Sequence, residues 1–320
     1  MTLHSIEPND RFLRAGLFLI TFFGLNWRNL KHVGSRCRSF TMTKLVRILV
    51  AFPFLLGAAM GQVVINDFAI LRSMEKKMSQ WMEVDLVLKG KGLVEGLEKA
   101  EKSTDWEEKG KLCQGGGYDE LSGSVYLISH TYDCGKCDKW HLGGVATAWC
   151  LRSDGLMVTN YHVLDNDKGE AWAVCSRKGE VFEVVEVLAA SKENDLVVFR
   201  VNGKGMKALR LGKPAEVGED VRVISHPNRN LYMQTTGEVS RYFNEPRKGK
   251  TGPVRMGITA DYAKGSSGGP VMNAKGEVVG IVASTNSIYY NRDKDGAATN
   301  LQMVLKNTIP VSALHKMLKQ

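Results

Sequence analysis

The sequence predicts a mostly β protein, an antiparallel sandwich or pair of barrels over about 200 residues, with a helical extension ahead of it. Three observations lead there. Beyond residue 120, short β-type runs recur between turn sequences such as Ser153-Asp154-Gly155 and Asn273-Ala274-Lys275-Gly276. Before residue 120, apolar residues recur instead at three- and four-residue intervals, the period of a helix face. Between the two textures, Gly115-Gly116-Gly117 marks a linker and a domain boundary.

The bulk numbers agree with a globular chain. It has 320 residues, 43% hydrophobic and 24% charged, enough to bury a sizeable core. Its net charge of +9 sits mostly at the front: of 43 Lys/Arg and 34 Asp/Glu, eight and two fall within residues 1–61. Residues 62–320 therefore hold 35 basic and 32 acidic side chains, a net of +3. A body so close to neutral is not a polyanion-binding surface, and no nucleic-acid partner is expected.

Met42 begins a pattern of export. Lys44 and Arg47 precede the apolar run Ile48–Met60, and Ala59-Met60-Gly61 offers small residues for cleavage, giving a mature start near Gln62. The run is short for a membrane span. On this reading residues 1–41 belong to an upstream start, 42–61 are a signal peptide, and the mature chain is periplasmic or secreted with no membrane span. The alternative makes Gly16–Trp27 a first membrane-associated segment, with the product anchored through its N-terminal apolar stretches.

In the extension, residues 62–120, Phe68, Leu71, Met74, Met78 and Met82 predict an amphipathic helix over Asp67–Met82. A weaker pattern, Leu93, Leu97 and Ala100, follows Gly92. Both are expected to dock on the main domain. The predicted strands are 124–129, 146–151, 156–159, 171–175, 181–188, 196–201, 221–224, 254–258 and 277–282, and Pro310–Leu318 closes the chain as a packing helix.

The chemistry lies in three stretches. Gly265-Ser266-Ser267-Gly268-Gly269-Pro270 presents a serine between glycines, so main-chain N–H groups can approach a substrate oxygen. A serine hydroxyl is a weak nucleophile and needs a base with a group to orient that base. Val158-Thr159-Asn160-Tyr161-His162-Val163 puts a histidine at a strand end. Asn194-Asp195-Leu196-Val197-Val198 puts a carboxylate, partly buried, at the entry to an apolar strand.

With His162, Asp195 and Ser267 in that order, and with His226-Pro227-Asn228 after the 221–224 strand, the chain resembles the trypsin-like serine proteases of the bacterial HtrA (Deg) type. The resemblance runs from about Val125 to the C-terminus. It implies a trypsin-like double antiparallel β-barrel over residues 121–320, with the triad in the cleft between barrels. It also implies that Ser267 attacks a scissile carbonyl, that His162 takes and returns the proton, and that Asp195 fixes the imidazole. The N–H groups of Gly265 and Ser267 would form the oxyanion hole, each donor contributing about 3 kcal/mol. Substrates are then polypeptides, and the chemistry requires no cofactor.

Rivals exist for two roles. Asp165 lies in the polar turn Asp165-Asn166-Asp167, too exposed to orient a base well, and Ser266 does not directly precede the glycine pair. Two departures from relatives are expected: no PDZ module after Gln320, and Val163 where animal trypsins carry a disulfide cysteine. Asp261, six residues before Ser267, has the spacing of the acid at the base of the trypsin primary pocket, which selects Arg or Lys. The competing reading follows the HtrA path, with Asp261 structural and a pocket for small aliphatic residues.

Six cysteines are present: Cys37, Cys113, Cys134, Cys137, Cys150 and Cys175. Export would remove Cys37 and leave an odd number. Cys150 and Cys175 lie in apolar runs and are expected in the core. Cys134-Gly135-Lys136-Cys137 with His141 admits three readings: a local disulfide or plain thiols, a zinc site completed by His130 or Cys150, or a redox pair. The second paired motif usual for zinc is missing. Two other function classes fit less well. An α/β-hydrolase esterase would place its acid and histidine after the serine, where only His315 follows. A non-catalytic or latent binding protein on a protease scaffold is the other reading, though decay of such a scaffold usually takes a triad residue and all three are present.

Overall fold

A computed structural model describes residues 63–84, 90–108, 110–113, 115–166 and 168–319. The signal peptide 42–61, the start near Gln62, the upstream segment and Cys37 lie outside the described residues. From Val63 onward the chain forms one compact unit.

Three helices open it: α1 (Asp67–Glu83), α2 (Gly90–Lys99) and the short α3 (Tyr118–Ser122). The first barrel follows as β1 (Val125–Asp133), β2 (Trp140–Leu142), β3 (Ala146–Arg152), β4 (Leu156–Thr159), the one-turn α4 (Tyr161–Leu164), β5 (Ala171–Cys175), β6 (Val181–Ser191) and β7 (Leu196–Val201). The second comprises β8 (Asp220–Ser225), β9 (Met233–Arg247), β10 (Lys250–Ile258), β11 (Pro270–Met272), β12 (Val278–Arg292) and β13 (Ala298–Pro310), with α5 (Val311–Met317) closing the chain. Every strand pair is antiparallel. The first sheet runs β2-β1-β3-β4-β7-β6-β5, and an added β1–β5 pairing closes six of its strands, leaving β2 as a flap on β1. The second closes as β10-β13-β12-β11-β8-β9. The architecture is the expected double antiparallel barrel.

Strand patterning explains how the barrels meet. On β7, Val197 and Phe199 enter the first barrel's interior with Tyr126, Ile128, Met157 and Val174. Leu196 and Val198 point the other way, into a second core with Trp149, Leu151 and Val158 of the first barrel and Met272, Ile281 and Ile309 of the second. A strand buried on both faces needs a continuous apolar run rather than alternation, which is how Leu196–Phe199 reads. A third cluster, including Val223, Val239, Met256, Val271 and Val279, fills the second barrel. The shared core also takes Leu314 and Met317 of α5.

The four strands absent from the predicted set are β2, β9, β11 and β13. β9 and β13, with the outer half of β12, form long hairpin arms whose residues are mostly exposed, so they carry no apolar alternation to read. Helix α1 buries the expected Met74 and Met78 but starts its inward face at Ile70 rather than Phe68. Its N-cap Asn66 accepts the Ala69 N–H through Oδ1 (3.0 Å), and Ile70, Met74 and Met78 turn inward at intervals of four. Phe68 is 71% exposed. The inward face packs on Leu127, Ala173, Cys175, Leu231 and Tyr232. Leu93 and Leu97 of α2 join the first barrel's core. Arg222 donates to the Gly116 carbonyl, so the glycine stretch is held against the second barrel.

Met78→Ala leaves a void between α1 and the first barrel, so a loss of about 2–5 kcal/mol is expected in chemical denaturation; an unchanged midpoint would mean the helix is not docked. His226 is fully buried, its Nδ1 accepts the Tyr232 N–H at 2.9 Å, and desolvation pushes its pKa down to about 4. The unfolded chain, with a histidine near 6.5, then binds more protons than the folded one below that pH. The neutral ring's contribution is fully present above about pH 6.5 and is lost as pH falls toward 4, a change of about 3 kcal/mol. His226→Asn, which keeps an acceptor, should flatten this acid limb; an identical limb in wild type and variant would contradict the assignment.

Candidate active site

His162, Asp195 and Ser267 come from three segments at the barrel junction. β4 ends at Thr159, Asn160 continues extended, and α4 begins, so His162 stands one residue into a helical turn. Its Nδ1 lies 2.8 Å from Asp195 Oδ2 and 3.1 Å from Oδ1, and its backbone N–H donates to Oδ1 at 3.0 Å. A carboxylate only accepts, so Nδ1 carries the proton and Nε2 is left as the basic nitrogen. The Asp195 side chain is 21% exposed against 51% for His162, which places the acid on the protein side and the imidazole toward solvent.

The Asp195 backbone is held as firmly as its carboxylate. Its φ is +61°, a left-handed conformation that Asp tolerates better than most residues. Asn160 Nδ2 donates to the Asp195 carbonyl (3.0 Å). The preceding carbonyls are taken by the second barrel: Arg255 Nη1 donates to Asn194 O at 3.2 Å and Arg247 Nη2 to Glu193 O at 2.9 Å. Arg255 is buried and paired with Glu245 at 2.9 Å. Nothing in the sequence pattern signals these arginines, because they lie more than 50 residues beyond the loop they hold.

Ser267 is half-buried in the turn before β11, and its carbonyl accepts the Thr147 N–H at 2.9 Å. Thr147 Oγ1 donates to the Gly265 carbonyl (3.0 Å). Gly265 has φ +100°, and a Cβ there would meet the His226 carbonyl at 2.4 Å, so two constraints demand glycine. At Gly268, φ is +83° and a Cβ would strike Thr147 O at 2.2 Å and Thr159 Oγ1 at 2.3 Å. The serine loop is thereby pressed against the strands that lead to His162. Among the described residues, the N–H groups of Gly265 and Ser267 donate to no protein acceptor, while that of Ser266 donates to Ala263 O. Two free, neighbouring N–H groups beside a serine suit an oxygen that gains negative charge. No hydrogen bond joins His162 to Ser267 Oγ; those of His162 run to Asp195.

The rival residues are engaged elsewhere. Ser266 is fully buried with its Oγ accepting from Ser225 Oγ at 2.9 Å. Asp165 pairs with Lys192 at 3.3 Å. Asp261 does not form a pocket base: its side chain is 83% exposed and its carboxylate is paired with Lys306 at 2.8 Å. It borders a cleft of about 240 Å³ together with Lys306, Met303 and Leu305. Selection of Arg or Lys needs an unpaired, enclosed carboxylate, and Lys306 already neutralises this one.

The structure brings Cys134, Cys137 and His141 together, their ligand atoms all within 4.8 Å of one another. It does not bring His130 or Cys150 to them, correcting the expected fourth ligand. Cys150 is in the core with its Sγ–H donating to Arg152 O. His130 is buried against Trp172, with Nε2 3.3 Å from Asn166 Nδ2. Cys175 is in the core as expected.

Residues 146–281, which contain all three candidate residues, match the family model of the trypsin-like peptidase domain. Over 140 residues the chain is 33% identical to a protein of Ectopseudomonas mendocina named "Probable periplasmic serine endoprotease DegP-like", covering 43% of this chain and 28% of that one. A protein of the same name from Hahella chejuensis is 33% identical over 153 residues, 46% of this chain and 30% of that one. Serine protease HTRA1 of Xenopus laevis is 31% identical over 145 residues, 42% and 30% respectively. The chain thus spans less than a third of the length of these relatives. Within that span it carries a trypsin-like peptidase domain homologous to that of the DegP-like and HTRA1 serine endoproteases.

Proposed function

We propose that the chain is a serine endopeptidase that cleaves polypeptides through an acyl-enzyme. The observation that carries this reading is the 2.8 Å His162–Asp195 pair, set at the barrel junction beside a glycine-flanked serine. Ser267 Oγ attacks the scissile carbonyl while His162 Nε2 takes its proton and later delivers it to the leaving amine. Asp195 keeps the proton on Nδ1 and stabilises the imidazolium. The N–H groups of Gly265 and Ser267 receive the oxyanion. Substrate binding closes the His162–Ser267 hydrogen bond, since catalytic contacts that are loose in the free enzyme tighten in the complex.

Residues 121–320 form the peptidase domain on this reading, and 62–120 an extension docked on it. The names of the bacterial relatives put those proteins in the periplasm. Together with the Met42–Gly61 pattern, they support export of this chain. Among the described residues no helix is long and apolar enough to cross a membrane.

On an unstructured protein substrate, Ser267→Ala and His162→Ala should each lower kcat by about 10⁴-fold or more with the thermal midpoint retained. Full activity in Ser267→Ala would overturn the proposal. The arginines are positioning residues, acting on Asp195 through its loop. Arg255→Ala should lower kcat by about a hundredfold with little change in KM, the effect of a misplaced orienting group. Arg255→Lys should recover part of it. If Arg255→Ala does not fold, Arg247→Ala, at an exposed site, should show a smaller loss of the same kind; unaltered kcat in a folded variant would contradict the role.

A further inference from the structure

The peptidase reading makes no use of the hairpin at the far end of β1. Cys134 and Cys137 lie in the turn that follows β1, and His141 lies on β2. Tyr132 pairs with His141 across the hairpin, and Asp133 with Trp140. Side chains alternate along a strand and paired residues share a face, so Tyr132, Cys134 and His141 project on the same side. Cys134 Sγ is 3.5 Å from Cys137 Sγ, which is 3.1 Å from His141 Nε2.

The turn is shaped to hold its sulfurs. Asp133 Oδ1 accepts the Gly135 N–H at 2.8 Å, and Gly135 takes φ +65°, a conformation open to glycine. In a tetrahedral zinc site, Zn–S of about 2.3 Å and Zn–N of about 2.1 Å hold the ligand atoms roughly 3.5–3.8 Å apart. Two of the separations, 3.5 and 3.1 Å, need to open by about half an ångström or less, and all three atoms already lie within 4.8 Å of one another.

We propose that Cys134, Cys137 and His141 bind a zinc ion with the fourth position open to solvent. The set is soft, two sulfurs and one imidazole, which selects zinc over oxygen-seeking cations such as magnesium or calcium. Its location gives the ion a structural consequence. β2 lies against α1, with Ser79 Oγ donating to the Trp140 carbonyl at 3.4 Å. Trp140 and His141 form one wall of a cleft of about 670 Å³ whose other wall includes Phe68 and Leu71 of α1. The ion would clip the hairpin into the shape that makes this wall.

The test uses the full chain, purified under reducing conditions, stripped with chelator and dialysed, then titrated with zinc and separately with cobalt. One equivalent of zinc per chain should be retained through gel filtration. The cobalt form should show the visible absorption of a tetrahedral site and sulfur-to-cobalt charge transfer in the ultraviolet. Cys134→Ser, Cys137→Ser and His141→Gln should each lose the metal while keeping the wild-type fold, and His315→Gln should keep it. Absence of stoichiometric metal on the folded, reduced chain would overturn the proposal. So would retention of zinc by both serine variants, or a metal-free chain isolated without reductant in which Cys134 is joined to Cys137.

Discussion

The hydrogen bonds from Thr147 to the serine loop are the constraint on which the proposed site depends. Thr147 belongs to the first barrel and Ser267 to a turn of the second, yet Thr147 donates to the carbonyls of both Ser267 and Gly265. Thr159 Oγ1 in turn donates to Thr147 O at 2.8 Å, and Thr159 is three residues before His162. One strand pair, β3–β4, therefore sets both the serine loop and the histidine. Each such bond contributes only about 1 kcal/mol, far less than the shared apolar core beneath. The core holds the barrels together, while the directional bonds decide how the loop sits between them.

The second barrel returns the support. Arg255 and Arg247 hold the carbonyls just before Asp195, and Asn160 holds the carbonyl of Asp195 itself. On the serine side, the His226 carbonyl lies where Gly265 admits no side chain, and the Asn228 N–H donates to Lys264 O at 2.6 Å. The loop after His226 includes Asn228, Arg229 and Tyr232, all at positive φ. Such conformations persist only where the surroundings over-determine them, and here the buried His226 ring fixes the Tyr232 N–H. The His226-Pro227-Asn228 motif thus acts by shaping the floor under the serine turn.

Much of this was legible in the sequence because the informative residues are local. Leu196–Phe199 reads as a fully buried strand, and glycines flanking a serine read as a tight turn whatever surrounds them. The hairpin arms were not legible, since strands in solvent need no apolar alternation. Asp261 shows the limit of spacing: its distance from Ser267 along the chain fits a pocket acid, but its carboxylate is exposed and paired with Lys306, 45 residues further on. Helix α1 followed its period and most of its expected face, with Leu71, Met74 and Met78 packed on the barrel, but Ile70 rather than Phe68 completes that face. The Cys134–Cys137 pair was visible as a motif, whereas its separation from His130 and Cys150 is set by register and burial.

The most direct test of the central claim is a crystal structure of the full chain after reaction with a fluorophosphonate. Phosphorus is expected on Ser267 Oγ, with the phosphoryl oxygen in hydrogen-bond range of the Gly265 and Ser267 N–H groups. A folded chain left unmodified, or phosphorus on Ser266 or any other residue, would contradict it.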